Sequence, residues 1–171
     1  MKVVTEELRF STKREIDLVD ITSEVEEVVE RSEIKNGQVL VFVPGATGAV
    51  VTIEHESGLL EDFKRILKEL VPRGAGYRHD LIDNNAHSHL RATILGPSLV
   101  LPVVEGKVVR GIWQQIFFCG ARCKAKKKES DCSGDGRVKT RLGFSFLCSV
   151  PMIFLGEGLL KSSFLFKSPS A

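Results

Sequence analysis

Apolar and polar residues alternate over several short stretches of the chain, a pattern typical of strands with one buried face. Lys2–Ser11 and Glu15–Asp20 are predicted to form the two strands of an N-terminal hairpin. Val39–Val43 is β-branched and predicts a buried strand. The turn residues of Pro44–Gly48 then lead into another strand, Ala49–Glu54.

The second half of the chain repeats this pattern. His87–Ile94 and Ser98–Val104 are predicted strands, Glu105-Gly106 is a hairpin turn, and Lys107–Phe118 returns as a third strand. A long loop rich in glycine and aspartate precedes them, from residue 73 to residue 86.

Two helices are predicted among these strands. Ser23 and Glu26 form a capping box that begins a short helix ending near Gly37. Leu59–Leu70 has an apolar stripe at helical spacing and is followed by Pro72, which ends the helix. Short-linked strands with two helices predict an α+β fold: a single compact domain of mostly antiparallel sheet.

Composition excludes several classes of protein. The formal net charge of +2 is too small to predict a nucleic-acid partner. Charged residues interrupt the N-terminal segment, so no signal peptide is predicted there. The apolar stretch Phe144–Leu155 is too short to span a bilayer. We therefore expect a cytoplasmic protein without a membrane partner.

The densest chemistry lies within eleven residues, which contain His79, Asp80, Asn85, His87 and His89. On a strand, His87 and His89 point to the same side, about 7 Å apart, which suits two ligands of one ion. His79 on the preceding loop can fold back as a third ligand, and Asp80 can complete the site or orient an imidazole. A divalent metal site, zinc or magnesium, is predicted. The alternative is that the two histidines face solvent by chance.

Other polar residues are weaker candidates. Gln114 lies opposite Trp113 on the predicted strand and is a candidate site residue, whereas Trp113 is expected in a core or subunit interface. The glycines of Pro44–Gly48 could bind a phosphate, but a turn requires them equally. His55, between two glutamates, is expected to be a solvated surface residue.

These motifs resemble the YjbQ-like family, also called secondary thiamine-phosphate synthases. The resemblance covers residues 1–118 and rests on the following pieces: Tyr77-x-His79-Asp80, Asn85-Ala-His-Ser-His89-Leu-Arg91, Gly96-Pro-Ser98, Pro102-Val-Val-x-Gly106 and Gly111-x-Trp113-Gln114. It implies a compact α+β fold, commonly a homotrimer, with a histidine-lined pocket that can hold a metal. It also implies a weak, secondary thiamine-phosphate synthase activity, which joins a pyrimidine diphosphate to a thiazole phosphate and releases pyrophosphate.

The resemblance leads to a hypothesis for the role of each site residue. The metal ligands are His79, His87 and His89. The catalytic residues are Asp80 and Arg91, and the substrate-binding residues are Asn85 and Gln114. Whether the chain is an enzyme stays open at this point. The alternative is a non-catalytic trimer that binds a metal or a small ligand.

The family pattern ends abruptly at Cys119. With suitable codons, residues 119–132 shifted by one base encode Ala-Glu-Leu-Asp-Val-Arg-Pro-Arg-Arg-Arg-Lys-Val-Ile, which resembles the family's usual last strand. We therefore predict a YjbQ-like domain at residues 1–118 and an out-of-frame tail at 119–171, leaving that strand missing and a sheet edge unpaired. A zinc site from Cys119, Cys123 and Cys132 is a further possibility, although the spacing matches no common structural site.

Overall fold

The computed structural model describes residues 2–10, 12, 14–121 and 140–147, the last segment and Phe10 by their backbone. The described strands are β1 (Thr5–Phe10), β2 (Asp17–Asp20), β3 (Gly37–Phe42), β4 (Gly48–Ile53), β5 (Ser98–Val104), β6 (Lys107–Val108), β7 (Gln115–Gly120) and β8 (Thr140–Leu147). The described helices are α1 (Thr22–Ser32), α2 (Ser57–Leu70) and α3 (Ala86–Leu95). In this part of the chain, no helix is both long and apolar enough to cross a membrane.

The strands form two antiparallel sheets, which confirms the predicted α+β fold. The larger sheet has the order β1-β8-β3-β5-β6, and the smaller has the order β2-β7-β4. The smaller sheet is covered on both faces. Val50 and Phe118 face the main core with α1 and the larger sheet, while their neighbours Ala49 and Cys119 face a second cluster that includes Leu67 of α2. This sheet is the layer against which α2 and α3 pack.

The predicted N-terminal hairpin is wrong. β1 pairs with β8 in one sheet, and β2 pairs with β7 in the other. Between them the chain turns at Ile16, whose φ of 55° lies in the left-handed region. Alternation shows that a strand has two different faces, but it does not identify the strand's partner.

The predicted strand at residues 107–118 also divides between the two sheets. The hairpin turn is confirmed, because Glu105 and Gly106 both have positive φ and join β5 to β6. A turn at residues 111–114 then carries the chain into β7. Pro44–Gly48 likewise forms a turn between sheets, in which Gly48 N donates to Gly45 O at 3.1 Å.

The most consequential error concerns residues 87–94, which form most of α3 and not a strand. Buried positions at 86–88 and 91–92 recur at helical spacing. Gly96, with a φ of 92°, ends the helix, and its N–H donates to Ala92 O. The alternation of His87 and His89 with apolar residues was too short to distinguish a strand from a helix.

A strand from the C-terminal segment occupies the larger sheet beside β1 and β3. β8 lies between β1 and β3 and pairs with both. β7 continues to Gly120 with Cys119 wholly buried, so the predicted boundary at residue 118 falls inside a packed strand. Most of the apolar stretch at residues 144–155, together with Cys123 and Cys132, lies outside the described residues.

The N-terminus of α1 is held by a residue that the predicted capping box does not include. Ser23 lies within the first turn, and α1 has no side-chain bond from its N-cap residue. Asp20 Oδ1 instead accepts from Thr22 N at 2.9 Å and from Thr22 Oγ1 at 2.6 Å. Asp20 Oδ2 lies 2.7 Å from His55 Nδ1, so the same carboxylate joins β2 to the residues after β4.

We expect Asp20→Ala to lower the free energy of unfolding by about 1–2 kcal/mol, since helix capping and bonds to a charged acceptor are lost together. Burial works to raise the pKa of Asp20, but the bonds from Thr22 and His55 outweigh it and hold that pKa below 3.8. A depressed folded-state pKa stabilises the fold above the unfolded-state value. The difference between wild type and variant should therefore shrink as pH falls through the native pKa.

Urea unfolding between pH 3 and pH 7 measures this effect. Asp62→Ala is the matched control, because Asp62 lies on an exposed face of α2 and pairs with exposed Arg65. A variant as stable as wild type at pH 7 would show that Asp20 does not anchor α1.

Candidate functional site

The candidate site is built around the N-terminus of α3. The preceding loop contains a single 3-10 turn, Arg78–Leu81, which brings Asp80 back against the helix. Asp80 Oδ1 accepts a hydrogen bond from Ala86 N at 2.9 Å. A carboxylate at this position satisfies a backbone donor and interacts favourably with the helix dipole.

Two of the predicted site histidines meet on one side of this helix end. His79 Nε2 lies 3.0 Å from Asn85 Oδ1, and Asn85 Nδ2 donates to Asp83 Oδ2 at 2.6 Å. The rings of His79 and His89 pack edge to face, with centroids 5.1 Å apart. Asn85 thus fixes His79, and His79 contacts His89.

His87 faces a different direction. Residues two apart on a helix point about 200° away from each other, so His87 and His89 do not share a face as they would on a strand. His87 is only 5% exposed, and its Nε2 lies 3.6 Å from Glu15 Oε1. Among the described residues, no three His, Cys, Asp or Glu side chains are grouped closely enough to hold a metal ion. The strand argument for three converging histidines therefore fails.

Three buried polar atoms at this helix end lack hydrogen-bond partners within the part of the chain that the structure describes. They are Asp80 Oδ2, His87 Nδ1 and Ser88 Oγ. An unsatisfied buried polar atom costs about 1–3 kcal/mol, so native structures retain few of them without a reason. Three within nine residues make this helix end the candidate binding site.

Arg91, predicted to be catalytic, is enclosed by protein. It is 1% exposed, and its Nε and Nη2 donate to Val71 O at 3.0 and 2.7 Å. Its Nη1 donates to Glu15 Oε1. These bonds fasten α3 both to the end of α2 and to the turn between β1 and β2.

The pKa values of both Glu15 and His87 are shifted by their surroundings next to Arg91. Partial burial works to raise the pKa of Glu15, but the bond and charge of Arg91 outweigh it and hold that pKa below its ordinary value. Burial lowers the pKa of His87, with Arg91 and Arg73 acting in the same direction and Glu15 opposing them. The site therefore contains an ionised Glu15 beside a neutral His87 at pH 7.

The predicted substrate residue Gln114 lies in the turn before β7, not in a strand. Its Oε1 accepts from Gly111 N at 2.7 Å. Trp113, expected in a core or an interface, is 63% exposed in the single chain. The contacts of Gln114 close its own turn, and Asn85 is the predicted substrate residue that lies at the α3 end.

Glu15 and the contacts of His55 were not predicted from the sequence. Glu15 is separated from the histidine motif by more than sixty residues and carries no motif of its own. His55 is exposed as expected, but it bonds Asp20 and packs edge to face on Phe117. Cys119 is wholly buried, and burial raises the pKa of its thiol to about 12. Its predicted zinc partners, Cys123 and Cys132, lie outside the described residues.

We expect Arg91→Met to lower the free energy of unfolding by about 1–3 kcal/mol, because it leaves the partly exposed Glu15 carboxylate and the Val71 carbonyl without their donor. Urea denaturation followed by circular dichroism measures the loss. Arg65→Met is the matched control, since Arg65 pairs with exposed carboxylates on α2 and should change stability by less than about 1 kcal/mol. If Arg91→Met is as stable as wild type, Arg91 is not the structural tie described above.

Comparison with known proteins places the chain among proteins of one family. The sequence model of the UPF0047 protein YjbQ-like family matches residues 6–129. A UPF0047 protein of Methanothermobacter thermautotrophicus is 48% identical over 69% of this chain and 82% of its own length. One from Archaeoglobus fulgidus is 47% identical over 66% of this chain and 86% of its own length.

Solved structures agree with the sequence comparison. A YbjQ-like protein of unknown function from Sulfolobus solfataricus superposes with a TM-score of 0.77 at 42% identity, covering 86% of this chain and 99% of that one. A hypothetical protein from Aeropyrum pernix superposes with a TM-score of 0.72 at 33% identity, covering 87% of this chain and 100% of that one. With its fold, its Asn-x-His-x-His motif and its sequence all in agreement, the chain belongs to the UPF0047 (YjbQ-like) family.

Proposed function

We propose that the N-terminus of α3 binds a small phosphate-bearing substrate and that the chain has thiamine-phosphate synthase activity. In this reaction the thiazole nitrogen attacks the activated carbon of the pyrimidine diphosphate. A C–N bond forms, the C–O bond to the diphosphate breaks, and pyrophosphate leaves with the electron pair. The protein's tasks are to align the two rings and to stabilise the departing anion.

The observation that carries the proposal is the set of unpartnered atoms on Asp80, His87 and Ser88. A carboxylate oxygen accepts hydrogen bonds, a neutral imidazole has one acceptor nitrogen, and a hydroxyl can accept as well. Because these atoms are enclosed, whatever reaches them is small, such as a metal ion, a water molecule or the amino end of a substrate. The aminopyrimidine has such a donor.

The metal site in this proposal differs from the one predicted from the sequence. The residues do not supply the predicted set of three histidine ligands, since His87 points away from His79 and His89. Asp80 and His87 each retain one unused acceptor atom. Magnesium is commonly bound by one or two carboxylates together with substrate phosphates, so an ion that arrives with the diphosphate suits this site better than a resident zinc.

The roles of the remaining residues follow from their places. Asn85 orients His79, and the paired rings of His79 and His89 offer a wall for a flat heterocycle. Arg91 is occupied by Val71 and Glu15. Arg73 is exposed in the loop, and its charge lies close enough to lower the pKa of both Glu15 and His87. It is therefore better placed than Arg91 to attract the diphosphate.

A second candidate function is a non-catalytic homotrimer that binds a metal or a small ligand. It is favoured by large apolar side chains that are exposed in the single chain, among them Leu81 (90%), Ile82 (85%) and Ile112 (74%). Leu81 and Ile82 lie in the loop that precedes the site. Exposed apolar residues of this size mark surfaces that bind a partner, and a second copy of the chain would bring its contacts close to α3.

We also propose that residues 119–171 follow a change of reading frame. This chain lacks the acidic and arginine residues that the family pattern has from position 119 onward, and these belong to the expected catalytic strand. Genomic DNA read through codon 119 decides the matter, because an uninterrupted frame would refute the proposal. Activity should accordingly be compared between this chain and a frame-restored version.

We expect the frame-restored protein to form thiamine phosphate from the two precursors with magnesium present. His87→Ala and His89→Ala should each reduce the rate at least 10-fold, and His87→Ala should also weaken metal binding. Fluorescence of the oxidised product measures turnover, and elemental analysis measures bound metal. His55→Ala is the matched control, since it removes the remaining histidine, which lies beside Asp20 and away from α3.

The outcomes separate the two functions. Turnover that depends on His87 and His89 but not on His55 supports the enzyme. Bound metal or substrate without turnover in the frame-restored protein refutes the enzyme and supports the binding protein. Activity that is unaffected by either substitution would end the assignment of these histidines.

A further inference from the structure

Glu15 reaches the candidate site from a distant part of the sequence, and the backbone that presents it is strained. It lies in the turn between β1 and β2, immediately before Ile16. Ile16 is 1% exposed and has a φ of 55°. A left-handed conformation is unfavourable for a β-branched residue, and residues that retain such strain are concentrated at functional sites.

The side chain of Glu15 is held in place by Arg91. Glu15 Oε1 accepts from Arg91 Nη1, and the rest of that guanidinium is bound to Val71 O. The same Oε1 lies 3.6 Å from His87 Nε2, slightly beyond hydrogen-bond length. One carboxylate oxygen therefore faces both a buried arginine and the imidazole of His87.

The position of this oxygen determines which nitrogen of His87 carries the proton. A carboxylate only accepts hydrogen bonds, so an N–H facing it is favoured over a lone pair facing it. With the proton on Nε2, the lone pair lies on Nδ1. His87 Nδ1 is the buried nitrogen that lacks a partner among the described residues.

We infer that Glu15 is a positioning residue of the candidate site: it holds His87 in the Nε2–H tautomer and thereby presents Nδ1 as an acceptor, beside Asp80, to a cation or an N–H donor. This inference rests on the proposed function only for the identity of what binds. It assigns to a residue outside the histidine motif the task that an orienting carboxylate performs for histidines at metal and catalytic sites.

The inference also predicts which ligands the atoms at the α3 end should reject. If His87 Nδ1 and Asp80 Oδ2 are both acceptors, a bare phosphate oxygen would meet two lone pairs there. The diphosphate of the substrate must therefore bind elsewhere, toward Arg73, or must bring a cation with it. Through His87, Glu15 thus causes this part of the site to offer hydrogen-bond acceptors to a ligand.

The test is the tautomer of His87, observed by long-range ¹H–¹⁵N correlation in the full chain with ¹⁵N-labelled histidine. The signals of His87 are assigned by their loss in His87→Ala. We expect wild type to show a protonated Nε2 and an unprotonated Nδ1. In Glu15→Ala, which removes the oxygen that faces Nε2, we expect the Nε2–H form to lose its dominance so that Nδ1 becomes protonated, and the affinity for added Zn²⁺ alone to fall about 10–100-fold.

Glu6→Gln is the matched control, since Glu6 is a partly exposed carboxylate that pairs with Arg31 away from the site and should change neither quantity. A protonated Nδ1 in wild type, or the same tautomer in wild type and Glu15→Ala, would overturn the inference. If Glu15→Ala does not fold, the wild-type tautomer decides alone. A wild-type protein with the expected tautomer but with no metal binding and no turnover would refute the proposed function and leave the role of Glu15 intact.

Discussion

The buried pair of Arg91 and Glu15 is the interaction on which the arrangement of the site depends. Arg91 joins three parts of the chain that are distant in sequence: α3, the end of α2 at Val71, and the turn at Glu15. Removing two charges from water is costly, and their attraction compensates only when the remaining donors are also satisfied. The carbonyl of Val71 meets that condition. Without this tie, the attachment of α3 to β4 would depend on packing and on the backbone hydrogen bond from Val50 N to Gly96 O at 3.2 Å, which fix its position less strictly.

The chemistry of the site follows from that tie. Because Arg91 and His87 lie four residues apart on one helix, they occupy the same face and share Glu15. His89 lies on another side, where it meets His79. The helix end thus has two separate polar regions: an aromatic one that suits a heterocycle, and an enclosed one with unpartnered acceptors on Asp80 and His87. A single three-histidine metal site on a strand has neither property.

The local pattern predicted most elements but few of their partners. The apolar stripe of α2 and the Glu105-Gly106 turn were recognisable, since both depend on neighbouring residues. The pairing of β1 with β8, and of β2 with β7, depends on contacts over more than a hundred residues. The site motif was recognised by residue type, yet its geometry was wrong, because alternation over His87–Ile94 fits a strand and a helix alike. Glu15 could not be found from sequence, since it acts only through the three-dimensional position of Arg91.

A double-mutant cycle on Glu15 and Arg91 tests this account most directly. The free energy of unfolding is measured for wild type, Glu15→Ala, Arg91→Met and the double variant. If the pair holds α3 in place, each single variant leaves one member of the pair without its partner, and the double variant is more stable than the sum of the single losses implies, with a coupling of at least about 1 kcal/mol. A coupling below about 0.5 kcal/mol would show that the two residues act independently and would contradict the account.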